Sequence, residues 1–250
     1  MYHTACFTSS IANGSVLLQV TQLADPIIAP ANLGFLVKQE IPNLGMVCGV
    51  GTNLTRIQLS SGSIRKLFPW DMDSVNVGTV LENPVRYLDF MSAPIPLDIT
   101  EELDAFALQS NAGAQNEYIF VNFTDGPVKP VSGRMQTMHA VGSTTLVANK
   151  WTAVSLTLDN GLDGGLYSIV GMSAFSAGAL FARILPRGTT AFRPGVPAAQ
   201  ARDQSIPHPW RYGGWGELMR FPNTAVPQVE FLSVSADTAE EVYFDLIKVG

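Results

Sequence analysis

The sequence is poor in charge, cysteine and histidine. Of 250 residues, 15 are Lys or Arg and 21 are Asp or Glu, a charged share of 14%, against about 25% in an ordinary soluble domain. With 46% hydrophobic residues, this is not the high-charge, low-hydrophobicity balance of a disordered chain. A net charge of -6 supplies no basic stripe to displace counterions from phosphate, which excludes a generic nucleic-acid binder. The first basic residue is Lys38. The opening Met1-Tyr2-His3-Thr4-Ala5-Cys6 therefore lacks both a basic arm and the basic region of a signal peptide. Two cysteines, Cys6 and Cys48, exclude a disulfide-dense scaffold and a Cys-rich zinc site. Long uninterrupted helices are scarce too, because 22 Gly and 16 Pro are scattered throughout.

What the sequence does have is a series of short β-rich runs. Ser15–Thr21, Gly34–Lys38, Leu54–Leu59, Glu117–Phe123, Trp151–Leu158 and Glu241–Val249 all fit strands. Asn13-Gly14, Ser60-Ser61-Gly62, Thr124-Asp125-Gly126-Pro127 and Asp159-Asn160-Gly161 supply turns between them. The uncharged stretch Tyr167–Ala182 is shorter than the roughly 20 residues of a membrane helix and is broken by Gly171 and Gly178. It reads as two strands joined by a small-residue turn. Thr100–Ala107 and Ala198–Arg202 are expected to form short helices. Many short strands with regular turn signals point to sandwiches or barrels.

The two halves of the chain echo each other. Pro84-Val85-Arg86-Tyr87 returns as Pro209-Trp210-Arg211-Tyr212 at an offset of 209 − 84 = 125. The same offset pairs Phe106 with Phe231, Ser110 with Ser235, Ala114 with Ala239 and Tyr118 with Tyr243. Upstream, Arg56-Ile57 matches Arg183-Ile184 at 127. Such a repeat predicts one β-architecture used twice, over 1–126 and 134–250, joined through Gly126–Gly133.

On this repeat, the Tyr118 and Tyr243 strands and the low charge, the sequence resembles the double jelly-roll major capsid proteins of tailless icosahedral viruses, in particular those of membrane-containing bacteriophages. The resemblance spans the chain and is one of organisation, without a signature motif. It implies an all-β fold of two eight-stranded antiparallel jelly-roll sandwiches in tandem. It also implies a non-enzymatic coat subunit of the virion, assembled in the host cytoplasm as homotrimers that tile a lattice. The partners implied are further copies of the chain, with minor capsid or vertex proteins and an internal membrane as additional candidates, and no sequence-specific nucleic acid. Neighbouring subunits are expected to be locked by loops and by the uncharged segment Met1–Val37.

No constellation of catalytic residues is expected. His3 is expected at a mobile terminus, His139 in a strand or linker, and His208 between two prolines; no Gly-x-Ser-x-Gly elbow places a serine. Cys48, in Met46-Val47-Cys48-Gly49-Val50, reads as a buried small hydrophobe. Metal-ligand spacings are missing; Asp71-Met72-Asp73 and Asp159–Asp163 fit Asx turns, with loop calcium as the alternative. Glu101-Glu102 and Glu240-Glu241 are adjacent and expected in solvent. Neither a catalytic group, a metal nor a cofactor is assigned. The alternative function is a carbohydrate-binding β-sandwich whose aromatic platform is Trp210, Tyr212 and Trp215; a hydrolase with an unrecognised site ranks third.

Overall fold

A computed structural model of the chain describes residues 2–28, 30–51, 53–64, 68–71, 87–187, 192–199 and 209–250. Pro84–Arg86 of the repeat, His208, and Met72 and Asp73 lie outside the described residues. Two compact units emerge, His3–Pro127 and Val128–Gly250 together with Met1–Tyr2. No helix occurs among the described residues.

The N-terminal unit is built from β1 (Tyr2–Ile11), β2 (Leu18–Val20), β3 (Pro30–Ala31), β4 (Gly34–Leu36), β5 (Asn43–Val50), β6 (Leu54–Ser60), β7 (Phe68–Asp71), β8 (Tyr87–Asp89), β9 (Ile95–Pro96), β10 (Glu102–Gln109) and β11 (Gln115–Thr124). One sheet runs β1-β11-β5-β8, and the other β3-β4-β10-β6-β7 with β2 also on β10. β2 and β4 occupy successive stretches of β10, at Ala105–Ala107 and at Glu102–Leu103, and so act as one strand. Phe35 of β4 links the two sheets through the core. Its ring lies 4.4 Å from Phe7 of β1 and 6.2 Å from Phe123 of β11, edge-on to both.

The C-terminal unit contains β12 (Met135–Gly142), β13 (Trp151–Val154), β14 (Thr157–Leu158), β15 (Leu166–Phe175), β16 (Ala179–Leu185), β17 (Gly195–Pro197), β18 (Met219–Pro222), β19 (Gln228–Ser233) and β20 (Glu240–Lys248). Its sheets run β14-β12-β20-β15-β18 and β13-β19-β16-β17. Val154, Ile184, Val229, Phe231, Val242, Phe244 and Leu246 are buried between them. Gly142 is glycine because a Cβ there would collide with the Val154 side chain and crowd Glu240.

The short β3, β9 and β14 aside, each unit has eight strands in one arrangement. In chain order, the first sheet reads first-eighth-third-sixth and the second reads second-seventh-fourth-fifth. That is the strand order of a jelly roll, in which two Greek keys wind two antiparallel sheets around one core. The chain is therefore two jelly rolls in tandem. Tyr118 and Tyr243 both lie on the eighth strands β11 and β20, but not in the same register: Tyr118 stands four residues before the last residue ahead of the register shift, Asn122, and Tyr243 two before Asp245, and Tyr118 is buried where Tyr243 is half-buried.

Other details of the repeat change. Phe106 is half-buried opposite Gln58, whereas Phe231 is fully buried opposite Ala182. Arg56 faces Leu108 and Arg183 faces Glu230, so the match at 127 does not survive in the sheet register. Thr100–Ala107 is not a helix. From Glu102 to Gln109 the residues alternate half-buried and buried, the period-two signature of a strand with one face on the core. Ala199 makes a β-bridge to Phe175, and residues 200–202 lie outside the described residues. Within Met1–Val37, Tyr2–Ile11 forms an edge strand whose first six residues are buried. Tyr167–Ala182 is two strands, β15 and β16, turning at Ser176–Gly178.

Candidate functional site

The aromatic cluster at Pro209–Gly216 is held by a buried carboxylate. Asp245 on β20 is fully buried and accepts from Arg211 Nε (2.7 Å), Arg211 Nη2 (3.0 Å), the Tyr212 backbone N–H (2.9 Å) and Thr137 Oγ1 (2.8 Å). Burial opposes ionisation of Asp245. The hydrogen bonds from Arg211, Tyr212 and Thr137, with the guanidinium charge, outweigh it and hold the carboxyl below the ordinary aspartate value. Gly171 makes the approach possible, since a Cβ there would run into Asp245 and the Tyr212 backbone.

This tether points the aromatics apart. Trp210 and Trp215 are each 2% exposed and pack with centroids 5.5 Å apart, while Tyr212, at φ 55°, is 56% exposed under the Arg211 guanidinium. The expected platform of Trp210, Tyr212 and Trp215 is thus not a shared face. Tight turning through Tyr212 and Gly213, both at positive φ, breaks the alternation an extended segment would give.

The histidines are separated as well. His3 is not mobile: it is fully buried on β1 with Nε2 3.1 Å from both oxygens of Asp25. Asp25 also accepts from the backbone N–H groups of Ile27 and Ile28, so the pair fixes a turn beside the strand. His139 lies on β12 with Nδ1 bonded to Asp159, Nε2 3.7 Å from Glu241 and its ring 4.5 Å from that of Tyr243. Asp159 and Glu241 meet opposite nitrogens of that ring.

Cys48 is fully buried, and burial pushes its thiol up to about 12, which suits a core residue and not a nucleophile. Among the described residues, no group of three His, Cys, Asp or Glu side chains could hold a metal ion. No helix of the described residues is long and apolar enough to cross a membrane.

Glu240 and Glu117 are further buried carboxyls that sequence reasoning missed. Glu240 is not in solvent: it is 1% exposed beside Gly142 and accepts from Thr144 N at 3.1 Å. Burial raises its pKa, with the Thr144 bond opposing. Glu117 on β11 is fully buried against Gly51, neither oxygen has a hydrogen-bond partner among the described residues, and burial raises its carboxyl to about 8. The only sequence signal was an acid opening an otherwise apolar strand.

The N-terminal unit also has an open groove of about 370 Å³ over the second sheet, lined by Val16, Leu17, Arg56, Gln58, Phe106 and Leu108. Its lining offers apolar contact and one cation, without an acid–base pair.

No family model matches the chain, and no curated protein matches it. Among solved structures it is similar to the major capsid protein P2 from bacteriophage PM2, at 12% identity over 100% of this chain and 98% of that one, with a TM-score of 0.27. It is also similar to the STIV MCP, at 9% identity over 99% of this chain and 97% of that one, with a TM-score of 0.27.

Proposed function

We propose that this protein is a structural, non-enzymatic subunit of an icosahedral viral shell. The observation that carries the reading is the same strand order in both halves of one chain. Three copies of a two-barrel chain present six similar barrels, and such a unit has the pseudo-six-fold outline that fits a hexagonal lattice. A charged share of 14% suits a surface that other copies cover, because the cores of obligate interfaces are depleted in charge. Buried polar systems at Asp245 and at Arg183–Glu230–Arg193 tie strands and loops together within the C-terminal unit, in keeping with a rigid tile.

In this reading the trimer forms first and lattice contacts follow, in the host cytoplasm. Minor capsid or vertex proteins and an underlying membrane are its further partners, and sequence-specific nucleic-acid binding is not among its tasks. Size-exclusion chromatography with light scattering tests it. A trimer has three times the chain mass of 26.9 kDa, and larger species are the lattice; a single monomeric peak across the accessible concentrations contradicts the reading.

A further inference from the structure

Glu117 and Glu240 occupy one position in the two sandwiches. Tyr118 pairs with Val50, the last residue of the third strand β5, and Glu241 with Phe175, the last residue of the third strand β15. Each glutamate therefore stands one residue past the end of that ladder. The register shift gives the same alignment. From Glu117 to Asn122 is 122 − 117 = 5 residues, and from Glu240 to Asp245 is 245 − 240 = 5, these being the last residues ahead of the shift on each eighth strand. Side chains alternate faces along a strand. Glu117 thus shares the core face with Ile119, Val121 and Phe123, and Glu240 with Val242, Phe244 and Leu246, all of them buried. Each glutamate lies against a glycine, Gly51 just after β5 and Gly142 at the end of β12.

Among the described residues, neither carboxyl meets a cation. The titratable groups on the strands beside Glu117 are Tyr118 on β11 itself, Tyr2, His3 and Cys6 on β1, and Cys48 on β5. Across the core, the buried residues of β6 and β10 are Leu, Ile and Ala, with Gln109. Burial is what raises Glu117. Glu240 keeps one bond, from Thr144 N–H to Oε2, while Oε1 has no partner. Burial raises it too, the charge of Asp237 adds to that, and the Thr144 bond opposes. His139, Glu241 and Tyr243 lie on the other face of the sheet, and Arg183 and Glu230 of the facing sheet pair with each other. Asp237 accepts from Ser176 Oγ and the Ala177 N–H, which pins the turn after β15.

We infer that the two glutamates form a pH-driven latch, each opening the same end of its own sandwich when it ionises, by parting the last two pairs between the third and eighth strands while the rest of the unit stays folded. An ionised carboxylate without a partner is costly to bury, so it favours any state that lets water reach it. Full unfolding is not needed, because the ladder to the third strand has already ended at the glutamate and local openings at strand ends cost less than the global transition. The pairs that part are Tyr118–Val50 and Ile119–Gly49 in the N-terminal unit, and Glu241–Phe175 and Val242–Ala174 in the C-terminal one. The closed form holds the proton, so closure is favoured at low pH. For Glu117, opening grows as pH rises from the ordinary value of 4.5 and levels off above about 8. The Thr144 bond and the pinned turn make the Glu240 end open less. The latch does not depend on the shell reading, since it lies within each unit of a single chain.

Amide hydrogen exchange of the full-length chain tests the latch. The parent is compared with Glu117→Gln at each pH, so that the pH dependence of the exchange chemistry itself cancels. Of two successive antiparallel pairs, one exchanges both N–H···O bonds, so the stretch Tyr118–Ile119 with Gly49–Val50 carries protected amides. The ratio of parent to variant exchange there is expected to grow about tenfold or more between pH 6 and pH 8. That exchange should also be insensitive to low urea, because a local opening exposes little surface. Amides in the middle of the strands, at Val121 and Val47, should exchange more slowly and through urea-sensitive unfolding. Glu240→Gln is expected to act in the same way at Glu241 and Val242, by a smaller factor. Equal exchange of parent and Glu117→Gln at Tyr118–Ile119 at pH 8 overturns the inference. So does exchange there that rises with urea in step with Val121, since the carboxyl is then exposed only by unfolding of the whole unit. Exchange at Glu241 and Val242 that ignores Glu240→Gln overturns the pairing of the two ends.

Discussion

Arg211 grips Asp245 with two parallel hydrogen bonds across 34 residues of sequence, Nε to Oδ2 at 2.7 Å and Nη2 to Oδ1 at 3.0 Å. The carboxylate is fully buried, so the pair is worth little against an apolar replacement but much against its own breakage. Asp245→Ala is expected to cost about 3–5 kcal/mol in urea unfolding, because it strands a largely buried guanidinium. The folded-state pKa of Asp245 is depressed. Its contribution is therefore present above the unfolded value near 4 and is lost as pH falls through the lower folded value. An Asp245→Ala chain should accordingly lose less stability on acidification than the parent.

Glu117 has the opposite sign. Burial raises its folded carboxyl to about 8, from an ordinary glutamate value of 4.5. The folded chain therefore holds a proton that the unfolded chain releases, and stability falls as pH rises between those values. Glu117→Gln keeps the shape and removes the charge. The variant's unfolding midpoint should decline less than that of the parent from pH 5 to 8, Glu240 retaining a smaller slope of the same sign. A parent whose midpoint rises over that range would contradict the assignment.

Trp210 and Trp215 are core residues of the C-terminal unit, and Tyr212 is a surface one. Trp210→Ala and Trp215→Ala should each cost about 3–5 kcal/mol, the range for deleting a large buried aromatic. Tyr212→Ala should change thermal stability little. Glycan-array binding by the parent that disappears in Tyr212→Ala would revive a sugar site around that residue.

The strands with clear alternation or strong β-propensity were legible in the sequence, as at Leu54–Leu59 and Glu117–Phe123. β10 was not, because Glu102, Leu103, Ala105 and Ala107 are good helix formers taken singly. The ladder to β6 and the buried Leu103, Ala105 and Ala107 override that preference. β1 was hidden for another reason: from Tyr2 to Phe7 it is buried continuously, so no polar alternation marks it. The repeat was visible as an apolar last strand in each half, the one carrying Tyr118 and the other Tyr243, although the two tyrosines do not share a register. It blurred upstream, where Phe106 and Phe231 have different environments. Asp245 and Glu117 were invisible as special residues, since what distinguishes them is contacts across the sheet and burial. The low charge was readable from composition.

The central claim is that two jelly rolls in one chain build a six-barrel tile. Negative-stain electron microscopy of the purified chain, with class averages taken of the smallest stable species, tests it most directly. The account predicts three-fold symmetric particles with six peripheral lobes, some joined into curved sheets or closed shells. Averages that show only isolated two-lobed particles at every concentration and salt condition would contradict it.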